Sequence, residues 1–435
     1  MQPPPVQIAL AALDRPIEPI QWLRIVDALH AEPGFWWLDS ALPDARLGRY
    51  SFVGTDPYLR LQARGSEIEV DVRRDVRPGF SIGTQIIRED PFRFVRSLFP
   101  RMDSCVHSTR PSATQKGTTG PKWRESGEPG NELALPFIGG AVGYFGYELA
   151  STLEKKLHFE NTDDLGLPDL SLAFVDQLLA FDHQSDRLWM VGIGFENNPE
   201  SKETDEARRA SISRSRQIAD ALSMRVDQVL SVTAAPFESR ATPPNGPSIA
   251  GLTLDSTTDP SEYSKSVDVI LEEISAGNVY QANFSQRLNV AAATDPWKIY
   301  QALRRHNPSP FGGYLDLPDA AILSSSPERF LRMDEKRRVE SRPIKGTRPR
   351  GIDREDDLRL SEELASSPKD RAENLMIVDL VRNDLGRVCV PGSIKVPELM
   401  VIEAYAKVFQ MVSTVTGTLE PERDAFDLLR GTFPP

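Results

Sequence analysis

Lys345, in the run PIKGT, is a residue whose surroundings could make it reactive. It follows Pro343 at the end of a predicted strand and precedes Gly346-Thr347, a turn rich in amide and hydroxyl donors. In a pocket, desolvation or the nearby Arg348 and Arg350 would favour the uncharged amine and make it a nucleophile. An ordinary solvated loop lysine is the commoner outcome for such a sequence. Glu373 and Asp384 lie 384 − 373 = 11 positions apart. In a helix that is about three turns, so the two carboxylates share a face. Paired carboxylates can hold Mg²⁺, which keeps several waters and bridges to an anionic substrate. The competing outcome is an ion pair with a nearby arginine.

Other constellations are weaker. Gly139, Gly140, Gly143 and Gly146 in GGAVGYFGYE lack the G-x-G-x-x-G spacing of a dinucleotide loop, and no Walker lysine-threonine follows. Close backbone packing under aromatic side chains is expected instead. The histidines at 30, 107, 158, 183 and 306 form no pair at metal-ligand spacing. Cys105 and Cys389 are the only cysteines, which excludes a disulfide framework and a cysteine-based zinc site.

Several elements must position these groups. Asp259-Pro260 reads as a helix start, apolar residues recur from Tyr263 to Ile274 at helical spacing, and Gly277 supplies the stop. VYQANFSQRL alternates with period two, with Gln281, Asn283, Ser285 and Arg287 on one face. That pattern predicts a strand, either half exposed or lining a polar cavity. Strands around AAILSSSP and RFLRMD lead to RRVESRPIKGTRPRG, then to a polar helix over 353–366. A second helix runs from Pro368 to Gly386. Leu375, Met376, Ile377, Val378, Leu380 and Val381 make it apolar nearly all round, so it is expected to be largely buried, with Glu373 needing a partner. KVFQMVSTVTGTL predicts a further strand with Gln410, Thr414 and Thr416 on one face. The sum is a mixed α/β or α+β architecture with mostly antiparallel strands.

The length, 435 residues, suits two or three domains or one large two-layer domain. With 51 basic and 63 acidic residues the formal charge is −12, which argues against a general nucleic-acid binder. The N-terminus lacks a basic signal-peptide region, and no apolar run approaches the roughly 18 residues that span a bilayer. No membrane association is expected, and a cytoplasmic location is. From about residue 103 to 131 the chain turns polar and reads as a solvated insertion, and a second break spans about 195–249 with a charged helical stretch.

The ordered motifs VYQANFSQRL, NPSPFGGYL, SSSPERFL, SRPIKGTRPRG, AENLMIVDLVRNDLGRV and QMVSTVTGTL resemble the chorismate-utilising enzymes. FWWLDSALPDARLGRYSFVGTDP, LPFIGGAVGYFGYELA and DDLGLPDLSLAFVDQLLAFDH resemble that family's N-terminal region. The resemblance implies an α+β fold, a large, mostly antiparallel β-sandwich flanked by helices, of the anthranilate synthase component I type. It divides the chain into an N-terminal region (1–195), a linker with a charged helical segment (196–250) and a chorismate-binding catalytic domain (251–435).

Within the family, PIKGT is similar to the aminodeoxychorismate synthase branch, where anthranilate synthases resemble PIAGT. The resemblance implies that Lys345 adds to C2 of chorismate as the C4 hydroxyl leaves, protonated by Glu328 of SPERF. Ammonia from a separate glutamine amidotransferase subunit then attacks C4. It further implies Mg²⁺ with Glu373 as one metal carboxylate, and substrate contacts at Gly346 and Thr347. Asn283 and Asn374 are similar to the same branch. Gln410 replaces a histidine that anthranilate synthases use in pyruvate elimination, which favours a product that retains its enolpyruvyl group. A tryptophan-type pocket is implied at Leu38, Asp39 and Ser40 with Asn307, Pro308, Ser309 and Pro310; ordinary turn and strand residues are the alternative. The chain ends at GTFPP, where the family continues with a segment resembling GSITGAPK and later supplies a second metal carboxylate and a substrate arginine. The expectation is therefore a C-terminally truncated chain whose catalytic domain lacks its last part. The alternatives are anthranilate synthase component I, or a non-catalytic chain that only binds the amidotransferase or tryptophan.

Overall fold

The computed structural model describes residues 5–42, 44, 46–77, 79–99, 105–110, 123–125, 135–159, 163–196, 205–232, 254–291 and 294–434. Residues 1–233 with 300–435 make one compact unit and residues 234–299 a second. Among the described residues no helix is long and apolar enough to cross a membrane.

The first unit is built on two facing sheets. In the nine-stranded sheet, Val6–Ala12 pairs antiparallel with Arg187–Phe195, and the order continues through Gln177–Asp182, Tyr50–Gly54, Trp36–Asp39 and Phe311–Asp316 to Ala321–Ser326. The five-stranded sheet contains Leu59–Arg64, Glu67–Val72, Gly83–Arg88, Gly140–Phe145 and Leu170–Val175. Its strands Leu59–Arg64 and Glu67–Val72 alternate buried and exposed residues, because one face meets the core and the other water. Leu10 and Val191 of the first sheet share one buried cluster with Leu61, Val70 and Leu172 of the second. This is the expected antiparallel sandwich flanked by helices.

The polar stretch that begins near residue 103 was expected to be a solvated insertion, and part of it is a strand. Cys105–Arg110 pairs parallel with Val6–Ala12, Val6 opposite Cys105, and Ser108 and Thr109 are buried. Backbone pairing to an existing sheet edge overrides the segment's low hydrophobicity, so Cys105 lies in a sheet rather than a linker. Residues 111–122 and 126–131 of the same stretch lie outside the described residues. The charged stretch beyond residue 196 contains the helix Asp205–Ser231. It lies directly on the sheet: a Cβ at Gly192 would come within 2.3 Å of Ser215 O, and one at Gly194 within 2.1 Å of Ser211 O.

The glycine run is close packing, as expected. It forms the strand Gly140–Phe145, and a Cβ on Gly143 would stand 1.9 Å from the carbonyl oxygen of Ser171 on the neighbouring strand.

The third sheet of this unit centres on Val408–Thr418. Arg338–Arg342 and Ile344–Pro349 pair along one edge and Lys395–Ala404 along the other, and Arg329–Met333 extends the sheet beyond Arg338–Arg342. Helices Arg354–Ser366 and Pro368–Gly386 pack on it. Ser367 ends the first of these, and its Oγ accepts from Asp370 N to begin the second. The second helix is not buried as expected: Leu375 and Leu380 are half exposed, and only Asp370, Asn374, Val378 and Leu385 are buried. One narrow stripe meets the sheet, so the apolar composition overstates how much of the helix is covered.

In the second unit, the helix Pro260–Ser275 starts as expected, with Asp259 Oδ1 accepting from Ser261 N at 2.8 Å, and Gly277 follows its end at φ +78°. The run VYQANFSQRL is not the predicted strand. Only Leu288–Val290 pairs, with Leu254–Ser256, and 279–287 is irregular. Alternation without a neighbouring ladder does not make a strand.

Gly143→Ala is expected to cost about 3 kcal/mol, the upper range for forcing an atom into a filled site. Urea unfolding checks this, and a midpoint equal to that of the parent would contradict the packing argument.

Candidate functional site

The lysine of PIKGT sits in a break of the ladder. Ile344 opposes Val412 and Thr347 opposes Gln410, so three steps on one strand match two on its partner. The extra residue falls at Lys345-Gly346, which makes this a β-bulge, a device that re-aims a side chain out of strand alternation. Gly346 has φ +94°, and a Cβ there would lie 2.9 Å from Asp370 Cβ. Both conformation and space require glycine. Lys345 is half-buried and Thr347 exposed.

Glu328 is brought to the same turn. Its Oε1 accepts a hydrogen bond from Ile344 N at 3.0 Å, and its own N–H donates to Ser326 Oγ at 3.2 Å. A carboxylate and the lysine after Ile344 thus share one backbone anchor although 345 − 328 = 17 positions separate them. Glu328 itself is exposed.

Glu373 is half-buried, and Lys369 Nζ lies 3.9 Å from its Oε1 one turn earlier in the helix. Beside it, buried Asn374 donates through Nδ2 to Met411 O at 3.1 Å and accepts from Ser413 Oγ at 2.5 Å, which docks the helix onto the central strand. Asn374 is thus a packing residue in this structure. Burial raises the pKa of Asp384, against the opposing charge of Arg387. Among the described residues no three or more His, Cys, Asp or Glu side chains gather as a metal cluster. Glu373 offers one carboxylate, short of a protein-built Mg²⁺ site.

A network around Arg342 escaped the sequence reading. Its buried guanidinium donates to Glu398 at 2.9 Å, Thr414 at 2.7 Å and Glu403 at 2.5 Å, and Arg46 binds the same two glutamates. Hydrogen bonds from Thr414, then Arg342 and Arg46, hold Glu398 below the usual carboxylate range. The network fixes the strand three residues before Lys345. Gln410, opposite Thr347 on one side and Glu403 on the other, keeps a buried Oε1 without a hydrogen-bond partner among the described residues. Asn283 lies in the irregular segment of the second unit, exposed.

The two segments proposed for a second pocket do meet. Leu38 and Asp39 pair with Gly313 and Gly312 in the nine-stranded sheet. Ser40 Oγ lies 2.8 Å from Tyr50 O and 3.1 Å from Pro310 O, and Leu42 N donates to Ser309 O at 3.1 Å. Asp39 is buried and held by Arg304 Nε at 2.7 Å and Tyr300 Oη at 3.2 Å. Asn307, exposed, donates to Ser325 Oγ at 3.1 Å; Pro308 is half-buried, and Ser309 Oγ is buried without a partner among the described residues. Next to this cluster Ser51 Oγ and His183 Nε2 are 2.7 Å apart. Burial lowers the pKa of His183, with Asp39, Arg304, Asp182 and Asp186 adding opposed charge effects. Cys389 is buried, and burial pushes its thiol up to about 11, so it is no nucleophile near neutral pH.

The sequence comparisons agree on one family. A model described as chorismate binding enzyme matches residues 101–435. The chain is 33% identical over 437 residues to anthranilate synthase component 1 of Synechocystis sp., covering 99% of this chain and 77% of the relative. It is 38% identical over 300 residues to aminodeoxychorismate synthase component 1 of Salmonella typhimurium, covering 69% of this chain and 58% of the relative. Among solved structures, anthranilate synthase component I from Streptococcus pneumoniae superposes with a TM-score of 0.62 at 24% identity, covering 90% of this chain and 74% of that one.

Protonation of His183 supplies a stability test with a definite sign. Its folded pKa is depressed, so as pH falls through about 6.5 the unfolded chain takes the proton first and stability drops. The loss continues until the folded pKa is passed. His183→Asn is expected to flatten that part of the stability profile; denaturant midpoints between pH 7.5 and 5 that fall equally in both proteins would refute it.

Proposed function

The chain belongs to the chorismate binding enzyme family, and from that premise we propose that it aminates chorismate at C4 to give 4-amino-4-deoxychorismate. The observation that carries the reading is Lys345 in the bulge with Glu328 bonded to the adjoining Ile344 amide. The Lys345 amine attacks C2, the ring double bonds shift, and the C4–O bond breaks. Hydroxide is a poor leaving group, so Glu328 gives up a proton and water departs. The amine nitrogen loses its own proton as the C–N bond forms. Ammonia then attacks C4, the double bonds shift back and the C2–N bond breaks, which frees Lys345. The net change is chorismate plus ammonia to the amino product plus water.

Thr347, exposed and opposite Gln410, and the backbone at Gly346 are the proposed substrate contacts. Gln410 is an amide, unable to serve as the base that pyruvate elimination needs, which supports a product that keeps its enolpyruvyl group. Ammonia is assigned to a glutamine amidotransferase subunit, and Mg²⁺ to Glu373 with water and substrate oxygens. The meeting of Leu38 and Ser40 with Asn307, Pro308 and Ser309 supports a tryptophan-type pocket; calorimetric titration of extensively dialysed protein is expected to detect tryptophan binding.

A second reading, anthranilate synthesis, has its own support in the Synechocystis relative, which aligns over 99% of this chain. The product separates the two: retained enolpyruvate or released pyruvate.

Incubation of the protein with chorismate, ammonium and Mg²⁺, followed by mass spectrometry, is expected to give the amino product without pyruvate. Glu328→Gln is expected to slow turnover about 10²- to 10⁴-fold, the range for losing a general acid. Lys345→Ala is expected to abolish both product and covalent adduct. Pyruvate with anthranilate, or full activity in Lys345→Ala, would reject the assignment.

A further inference from the structure

Lys345 is bracketed on both sides by side chains that hold its backbone. Before it, Ile344 N donates to Glu328. After it, Gly346 lies against Asp370, whose Cβ and Oδ1 would be 2.9 and 3.1 Å from a Cβ at that glycine. Asp370 also accepts from Arg348 Nη2 at 3.1 Å, while Arg348 Nε reaches Glu363 Oε1 at 2.7 Å and Arg348 Nη1 donates to Thr347 O at 2.9 Å. One guanidinium therefore ties the carbonyl two residues after Lys345 to carboxylates on both helices packed against the sheet.

Asp370 is itself fixed. It is nine-tenths buried, its N–H donates to Ser367 Oγ, and it lies four positions before Asn374, which docks the same helix onto the central strand. A bulge is an irregular point in a ladder, and a buried carboxylate packs directly behind this one.

We infer that Asp370, acting through Gly346 and Arg348, is a positioning residue that sets where the Lys345 amine points. The inference deepens the reading of Lys345 as a nucleophile and rests on it for its catalytic consequence. Its structural part, the placement of the amine, can be read without any turnover. Asp370 touches neither substrate nor reacting atoms on this account. Its removal should therefore slow the covalent step more than it weakens chorismate binding at Gly346 and Thr347.

The test compares Asp370→Ala, Asp370→Asn, Arg348→Ala and the double variant Asp370→Ala with Arg348→Ala. The first readout is the acylation rate of Lys345 by an amine-reactive ester, followed by peptide mass spectrometry, with Lys298 and Lys395 as internal controls. The second is the rate of covalent adduct formation with chorismate in the absence of ammonia, beside the chorismate dissociation constant. Asp370→Ala is expected to change acylation at Lys345 alone and to slow the adduct about ten- to hundredfold, as misplacement of a reacting group does. The dissociation constant is expected to rise less than the adduct rate falls, and the double variant to be no slower than Asp370→Ala, since both substitutions break one linkage. Asp370→Asn, which keeps the shape behind Gly346, is expected to fall between the two and carries the test if the alanine variant does not fold. Unchanged acylation and adduct rates, or multiplicative losses in the double variant, would overturn the inference. An altered acylation rate alongside full turnover in Lys345→Ala would instead leave the placement standing and reject the nucleophile.

Discussion

The register between Ile344–Pro349 and Val408–Thr418 is the constraint from which the candidate site follows. A ladder with a side-chain period of two leaves no freedom over which face a residue takes, and a single extra residue reverses it locally. Here that residue falls at Lys345-Gly346, between Ile344 opposite Val412 and Thr347 opposite Gln410. Everything around the turn keeps the shift in place: Glu328 on the Ile344 amide, Asp370 behind Gly346, Arg348 on the Thr347 carbonyl. The two helices add these polar ties to apolar contacts: Leu364, Val378 and Leu385 are buried against the sheet, while Leu375 and Leu380 of the second helix face outward.

How much of this was readable beforehand depended on whether a feature is local. Asp259-Pro260 and Ser367-Pro368 mark helix starts because a capping oxygen and a proline act within one turn. The glycine run was assigned to close packing from its spacing, and Gly143 against Ser171 O bears that out. Lys345 could be singled out from PIKGT and Glu328 from the resemblance, but neither the bulge nor the contact of Glu328 with the Ile344 amide could be derived from pattern, because both depend on which strand lies alongside. Arg342 with Glu398, Glu403 and Arg46 shows the same limit: four charged residues spread from 46 to 403 carry no shared periodicity.

Two departures from the expected elements share a cause. Cys105–Arg110 looked too polar for a sheet, yet a parallel neighbour at Val6–Ala12 supplies its backbone hydrogen bonds. Gln281 to Arg287 looked like a strand, yet it lacks a ladder among the described residues. In both segments the backbone partner, and not the side-chain pattern, decided the outcome. The same reasoning explains why the family-scale fold was clear while the finer chemistry was not. The sandwich is specified by many alternating strands, whereas the proposed choice of product rests on two side chains, Lys345 and Gln410.

Electrostatics sharpens what the proposed chemistry requires. Chorismate carries two carboxylates, and the protein has a formal charge of −12. The guanidiniums closest in sequence to Lys345 are already engaged: Arg342 by Glu398 and Glu403, Arg348 by Glu363 and Asp370, Arg350 by Asp357. Each of these pairs consumes the charge that a dianionic substrate would otherwise use, and detaching one would strand a buried or half-buried carboxylate. The arginines beside the lysine therefore help build the turn and are engaged by carboxylates before any substrate arrives. If the amine at Lys345 is to attack as a neutral nucleophile, it cannot supply the missing charge either. On the proposed chemistry the charge facing the substrate would then come from outside this set, and Mg²⁺ at Glu373 would supply it.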